Sequence, residues 1–280
     1  MAGLAVWWFF SGVELAPRTV KVGVYDYPPY QARDPKTGEM TGYYTELLDA
    51  LAQSQNLRFE YVDTSFDDYF KDIPKGAPYV MGMPIVINAE RERQYFSYSW
   101  PCGEVDLILY RRADDGFIGG IGDLVDKRVG AMEGIETTIC MRMMKEGKIK
   151  AVDSIESSEK LHRALLDGEV DAIVCDQGVS LYFQQLHPGK IVPVEMVFYR
   201  QYEGFPIQRR QTWLRDRIND GLRELMSNGV YSRVYRKYFP VKEREQGDEC
   251  ELLRRGGEDD DETSRLPMLE IDENHNSKRI

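Results

Sequence analysis

A chain of 280 residues is long enough to bury two modest cores, since compact domains usually run to roughly 100–200 residues. Its 42% hydrophobic and 30% charged content suit a soluble protein, and a net charge of -11 argues against a nucleic-acid binder, which needs a basic face. Four cysteines (Cys102, Cys140, Cys175, Cys250) and three histidines (His162, His187, His275) are scattered without a CxxC pair or metal-ligand spacing, so no metal, haem or other cofactor is expected.

The chain starts with an apolar run, Leu4-Ala5-Val6-Trp7-Trp8-Phe9-Phe10. It is short of the about 20 apolar residues that span a bilayer, and it lacks the basic flank of a secretory signal. Residues 1–18 therefore read as a clipped signal or anchor, or as an added leader. Val20-Lys21-Val22-Gly23-Val24-Tyr25 alternates as a strand. Asp26-Tyr27-Pro28-Pro29-Tyr30 breaks it, because proline cannot donate to a ladder. Leu47, Leu48, Leu51 and Ala52 recur at helical spacing, and Leu57 to Val62 alternates as a second strand. Strand, helix and strand in this order predict a βαβ unit with a parallel sheet.

The same grammar restarts in mid-chain. Lys127 to Met132 reads as a strand and is followed by a helical stretch with Ile139, Met141 and Met144. Ser157 or Ser158 caps a helix carrying Leu161, Ala164 and Leu165, which stops at Asp167-Gly168. Val170 to Cys175 is an apolar run suited to a buried strand, in which Cys175, like Cys140, reads as a small hydrophobe, with a disulfide as the alternative. Leu214, Ile218, Leu222 and Leu225 mark one face of a helix ended by Asn228-Gly229, and a second amphipathic segment ends at Tyr238-Phe239-Pro240. Two βα starts about 100 residues apart predict two α/β lobes. Beyond Pro240 the chain is charged and poor in aromatics; residues 241–280, with Glu258-Asp259-Asp260-Asp261-Glu262, read as a solvated, disordered acidic tail.

Residues 19–240, in order, resemble the family-3 bacterial extracellular solute-binding proteins, which include polar amino-acid-binding proteins and receptor sensor modules. Val22 to Tyr30 is similar to the family's first strand and its PPF/PPY-type ligand loop. Gly42-Tyr43-Tyr44-Thr45-Glu46-Leu47 is similar to its GFDxDL helix start, and Ile87-Asn88-Ala89-Glu90-Arg91 to its IT-x-ER segment. Asp123 to Gly130 resembles the DLkGkkVGV opening of the second lobe, Leu165 to Asp176 the LxxGxvDAvvxD run, and Glu203 to Arg210 the returning strand. The resemblance implies a two-lobed periplasmic-binding-protein-like II clamp, each lobe a mixed sheet flanked by helices. The chain then crosses twice between lobes, near residues 102–111 and 197–210. Lobe 1 would comprise residues 19–104 and 201–240, and lobe 2 residues 105–200. Hinge closure around a ligand in the cleft is the expected motion.

The implied ligand is small, polar and amino-acid-like. A zwitterion needs a fixed cation and a fixed anion. Arg91 offers a planar bidentate fork for a carboxylate, with Arg93 as its substitute and solvated charge as the plain alternative. Asp176 is the family's ammonium acceptor, and is equally placed to cap the next helix. Tyr30 and Tyr43 would wall the pocket or merely pack. Asp26 would face ligand or cap a turn. Asn88 joins the set through the IT-x-ER likeness, and Thr137 through the family's glycine-hydroxyl-hydroxyl turn, which cradles a carboxylate at a helix start.

Two departures bear on the ligand. That turn reads Gly134-Ile135-Glu136-Thr137-Thr138, where Glu136 would repel a carboxylate, and Tyr44 replaces the GFD aspartate. The expected protein is a monomeric, periplasmic or extracellular binding module without catalysis, serving an ABC permease or a receptor signalling domain. The rival readings are a cyclohexadienyl dehydratase-like enzyme, with Glu136 or Asp176 as acid or base, and a module that has lost its ligand.

Overall fold

The structure, a computed structural model, describes residues 16–239. The apolar start of the leader, and the acidic tail expected over residues 241–280, lie outside the described residues. Arg18, placed in the leader from sequence, is instead the first residue of a strand.

β1 (Arg18–Val24) leads through a loop with the small hairpin β2 (Ala32–Arg33) and β3 (Met40–Thr41) into α1 (Tyr43–Gln55) and β4 (Leu57–Asp63). β1 and β4 pair in parallel, from Arg18 opposite Leu57 to Val24 opposite Asp63, so α1 is the crossover that a parallel pair requires. Tyr43, Tyr44, Leu47, Leu48 and Leu51 are its buried face. Gly42 begins the helix at φ 116°, and a Cβ there would fall 2.5 Å from the carbonyl oxygen of Tyr30. Only glycine lets the tyrosine loop lie this close to α1.

The lobe continues with α2 (Phe66–Lys75), β5 (Met81–Gly82), β6 (Ile85–Val86), α3 (Ala89–Gln94) and β7 (Ser97–Tyr98). Strands of two residues carry no legible alternation, which is why periodicity does not reveal them. β8 (Gly103–Arg112) enters the second lobe. There follow β9 (Arg128–Met132), α4 (Ile135–Lys145), β10 (Ala151–Ile155), α5 (Ser158–Leu166), β11 (Ala172–Asp176) and α6 (Gln177–Leu186). The chain returns along β12 (Ile191–Gly204) to β13 (Pro206–Ile207), α7 (Thr212–Ser227) and α8 (Val230–Tyr238).

Two mixed sheets result. The first has the order β4-β1-β5-β13-β7 and the second β10-β9-β11-β8-β12-β6. In the second, β10 and β11 run parallel to β9, whereas β8 runs antiparallel to both β11 and β12. β8 and β12 are the two crossings, lying side by side with Gly103 opposite Glu203. The end of β12 also pairs with β6 of the first lobe, Glu203 opposite Val86 and Gly204 opposite Ile85. Each crossing strand is thus held by hydrogen bonds where the lobes meet, and Glu203 sits at that junction.

Three apolar clusters fill the layers among the described residues. One, around Tyr69, Ile73, Tyr79 and Phe96, lies under α2. A second joins β8, β9 and β11 to α4 through Leu107, Leu109, Val129, Ile139, Cys140 and Met143. Met141 and Met144 of the same helix face outward, so its core stripe runs through Ile139, Cys140 and Met143. The largest cluster is continuous across both lobes, from Leu47, Leu51, Ile218 and Leu222 in the first to Leu161, Cys175 and Val179 in the second. Cys102, Cys140 and Cys175 are buried and free, which accords with the reading of Cys140 and Cys175 as small hydrophobes.

Candidate functional site

α6 begins where β11 ends, and Asp176 is both the last strand residue and the helix N-cap. Its Oδ1 accepts the Gly178 N–H at 2.6 Å and the Val179 N–H at 3.1 Å. These are donors that a helix start leaves without partners. The residue is 2% exposed. Tyr30, from the proline-broken loop of the other lobe, donates its hydroxyl to Oδ1 at 2.9 Å and Oδ2 at 3.0 Å. Gly178 permits this approach: a Cβ there would fall 2.5 Å from the Tyr30 hydroxyl and 2.7 Å from the Phe239 ring. Burial pushes the Asp176 carboxyl up to about 6, against the lowering effect of Val179, Tyr30 and Gly178.

Glu136 lies in the first turn of α4, in the same lobe as Asp176. Burial, with a contribution from Asp176, raises its carboxyl to about 7, while Arg91 across the cleft acts in the opposite direction. Glu203, 7% exposed, accepts a hydrogen bond from the Tyr44 hydroxyl. Burial, then Asp176 and Glu136, push its carboxyl up to about 8. The charges of three carboxyls, from α4, β12 and the start of α6, therefore act on one another. Burial raises the phenols of Tyr25 and Tyr27, and Glu203 and Asp176 respectively are the leading charges that add to the effect.

Arg91 is a cation whose charge acts on Glu136 and Tyr25. Asn88 caps α3 by accepting the N–H groups of Glu90 and Arg91 at 2.9 and 3.0 Å, which fixes the helix that carries it. The guanidinium is half-buried over the rings of Phe66, at 5.5 Å, and Phe70, at 5.3 Å. Arg93 is exposed on the same helix. Arg200 of β12 is held bidentately by Asp106, at 2.8 and 3.0 Å, and also meets Glu104 at 2.9 Å.

Of the residues expected from sequence, the structure brings Tyr30 and Asp176 together and sets Arg91 over Phe66 and Phe70. Asn88 acts from behind, as a cap. Tyr43 is buried among Tyr231, Tyr235, Tyr238 and Phe239, with its hydroxyl on the Cys102 carbonyl at 3.3 Å. Thr137 bonds the Met132 carbonyl at 2.6 Å and lies 3.2 Å from the Ser154 hydroxyl. Asp26 is exposed and accepts the Arg33 N–H at 3.0 Å, as a turn cap does. Sequence reasoning did not single out Tyr25, Tyr27 or Glu203. The signal for Glu203 is an acid inside a strand followed by Gly204-Phe205-Pro206-Ile207; its importance depends on Tyr44, 159 positions away. A separate surface depression between Arg18, Lys21, Pro78 and Trp213 contains none of these groups. Among the described residues, no cluster of His, Cys, Asp and Glu could hold a metal ion.

Two mixed sheets joined by paired crossing strands, with Tyr30 of one lobe on Asp176 of the other, define a two-lobed clamp. The chain belongs to the bacterial extracellular solute-binding proteins, family 3, whose model matches residues 20–241. It is 22% identical over 214 residues to the L-cystine-binding protein TcyJ of Escherichia coli K12, covering 76% of this chain and 79% of that protein. An ancestral arginine-binding protein bound to arginine superposes with a TM-score of 0.70 at 23% identity, over 80% of this chain and 100% of that one. A histidine kinase sensor domain with similarity to periplasmic binding proteins does so at 0.69 and 24%, over 82% and 99%. Two of these relatives are binding proteins and the third is a sensor domain. No helix among the described residues is long and apolar enough to cross a membrane.

Proposed function

We propose that this chain is an extracytoplasmic clamp that closes around a small amino-acid-like ligand, as the binding component of an ABC-type uptake system or as a sensor input module. The observation that carries this reading is the buried Asp176 carboxylate, fixed on two helix N–H groups and reached across the cleft by a hydroxyl alone. A ligand ammonium group taking the place of the Tyr30 hydroxyl would exchange a neutral donor for a charged one, and charge-assisted hydrogen bonds are roughly twice as strong as neutral ones. Arg91, on the facing lobe, would take the ligand carboxylate. Each lobe would hold one end of the ligand, so the closed state would bind better than the open one, and that difference drives closure.

Thermal-shift measurements with the proteinogenic amino acids test this reading. A native-state ligand stabilises by RT ln(1 + [L]/Kd), about 2.7 kcal/mol at a hundredfold excess over Kd. A clear upward shift in Tm for one chemical class is expected. Flat curves across amino acids, amines and short peptides would instead mean a clamp without a ligand, and turnover of prephenate or arogenate would mean an enzyme.

A further inference from the structure

Resting on the clamp reading above, we propose that Tyr30 is an internal stand-in for the ligand ammonium group. Its hydroxyl latches the ligand-free lobes together on Asp176, and only a solute carrying a cationic donor displaces it.

The first lobe builds the latch. The carbonyls of Pro29 and Tyr30 accept the N–H groups of Tyr43 and Tyr44 at 3.1 and 2.8 Å, donors that the start of α1 leaves without helical partners. Tyr27 and Gln31 exchange both backbone hydrogen bonds, at 2.7 and 3.1 Å, and close the loop on itself. The Tyr30 ring stacks on Tyr27 with centroids 5.6 Å apart, and on Tyr44 at 5.3 Å. With backbone and ring both fixed, the hydroxyl has little rotamer freedom left to lose when it meets a partner.

The second lobe is shaped to receive it. Both carboxyl oxygens of Asp176 take the hydroxyl, at 2.9 and 3.0 Å, and Gly178 has no side chain where Tyr30 and Phe239 approach. Phe239 packs on the Tyr30 ring at 5.3 Å, and one apolar cluster runs from these two rings to Cys175 and Val179. All of these contacts are made by the chain's own side chains, so closure needs no solute.

The same contact sets specificity. A hydroxyl offers Asp176 one proton and no charge, whereas an ammonium offers three protons and a full charge. A cationic donor therefore gains by the exchange, and a neutral donor replaces like with like and gains nothing at Asp176. Gln31 keeps the latch reversible. It is 1% exposed, and neither atom of its amide has a hydrogen-bond partner among the described residues. A polar group buried in this way is unfavourable, and a loop released from Asp176 returns the amide to water.

Interlobe distances in the ligand-free chain, unfolded and refolded to strip any solute, test the latch. Double electron–electron resonance reads them between nitroxides at Glu39→Cys and Glu133→Cys, both exposed, in a Cys250→Ser background; Cys102, Cys140 and Cys175 are buried. The parent should show one dominant short distance. Tyr30→Phe keeps the ring and should lower the closed-to-open ratio at least about tenfold, the equivalent of one hydrogen bond to a charged group. Adding Gln31→Met to Tyr30→Phe should recover part of the closed population. A parent that is mostly open overturns the latch whether or not the variants fold, and so does a Tyr30→Phe distribution identical to the parent's. A Gln31→Met change that raises Tm but leaves the populations alone would remove Gln31 from the device. Since no ligand is added, none of these outcomes bears on whether the clamp binds an amino acid, which the thermal-shift series decides.

Discussion

Arg91 is held by aromatic packing below and faces a carboxyl of the other lobe. Its guanidinium lies over Phe66 and Phe70, and its charge lowers the proton affinity of Glu136. Arg91→Ala should weaken binding of a carboxylate ligand roughly 10- to 150-fold, the loss of about 1.5–3 kcal/mol, with a cooperative melt retained. Arg91→Lys should recover only part of this, because a point charge cannot replace the fork; titration calorimetry on both variants reads the difference. Asp176 has two roles that one substitution separates. Asparagine caps a helix about as well as aspartate, so Asp176→Asn should leave Tm close to that of the parent while reducing affinity for ammonium ligands. A lowered Tm with unchanged affinity would assign Asp176 to capping alone. At this scale the sequence pointed to Tyr30, Arg91 and Asp176 because each is an unusual residue in its local run. It could not point to Glu203 and Tyr44 as partners, because nothing local links residues 159 positions apart.

The elements that were legible are those whose whole face is buried. α7 places Leu214, Ile218, Leu222 and Leu225 in the core at the expected spacing, and α5 is capped by Ser157, whose hydroxyl accepts the Lys160 N–H at 3.3 Å. β1, α1 and β4 form the predicted parallel unit. The two-residue strands β5, β6, β7 and β13 carry too few residues to show a period. Yet β5, β7 and β13 complete the first sheet, and β6 ties β12 to the first lobe. The loop before α1 and the start of α6 meet through Gly178, and this contact is testable. Gly178→Ala would drive a methyl group into the Tyr30 hydroxyl and the Phe239 ring. Overpacking of this kind costs about 1–3 kcal/mol. Because the clash lies between lobes, small-angle scattering should show a more open particle, whereas a purely local effect would lower Tm with no change in dimensions.

At the scale of the whole molecule, the buried carboxyls tie stability to pH. An acid whose folded pKa lies above its unfolded value keeps its proton longer in the folded state, so stability falls as pH rises between the two values. For Glu136 that window runs from 4.5 to about 7, and for Glu203 from 4.5 to about 8. Asp176 follows from 3.8 to about 6. His162 works the other way: buried between Ser158 and Ser180, it is lowered from 6.5 to about 4, so its contribution is complete above pH 6.5 and is lost as pH falls towards 4. From pH 6.5 to 8 the slope therefore belongs mainly to Glu136 and Glu203. Free energies from urea melts should fall across that interval, by at most about 1.4 kcal/mol per pH unit for each titrating carboxyl. Glu203→Gln should flatten the upper part of the slope and raise stability at pH 8. A slope unchanged by the substitution would mean that Glu203 ionises freely in the folded protein.

The sequence by itself determined the two-lobed α/β class and the order of the main helices and strands. It did so because period-3.6 and period-2 apolar patterns, helix caps and short motifs are local properties of the chain. Only the tertiary structure decided which acids act on one another, that Tyr30 lies on Asp176, and that Tyr43 and Thr137 are turned into packing and backbone bonds. Burial, and the proton affinity that follows from it, is set by what arrives from the other lobe.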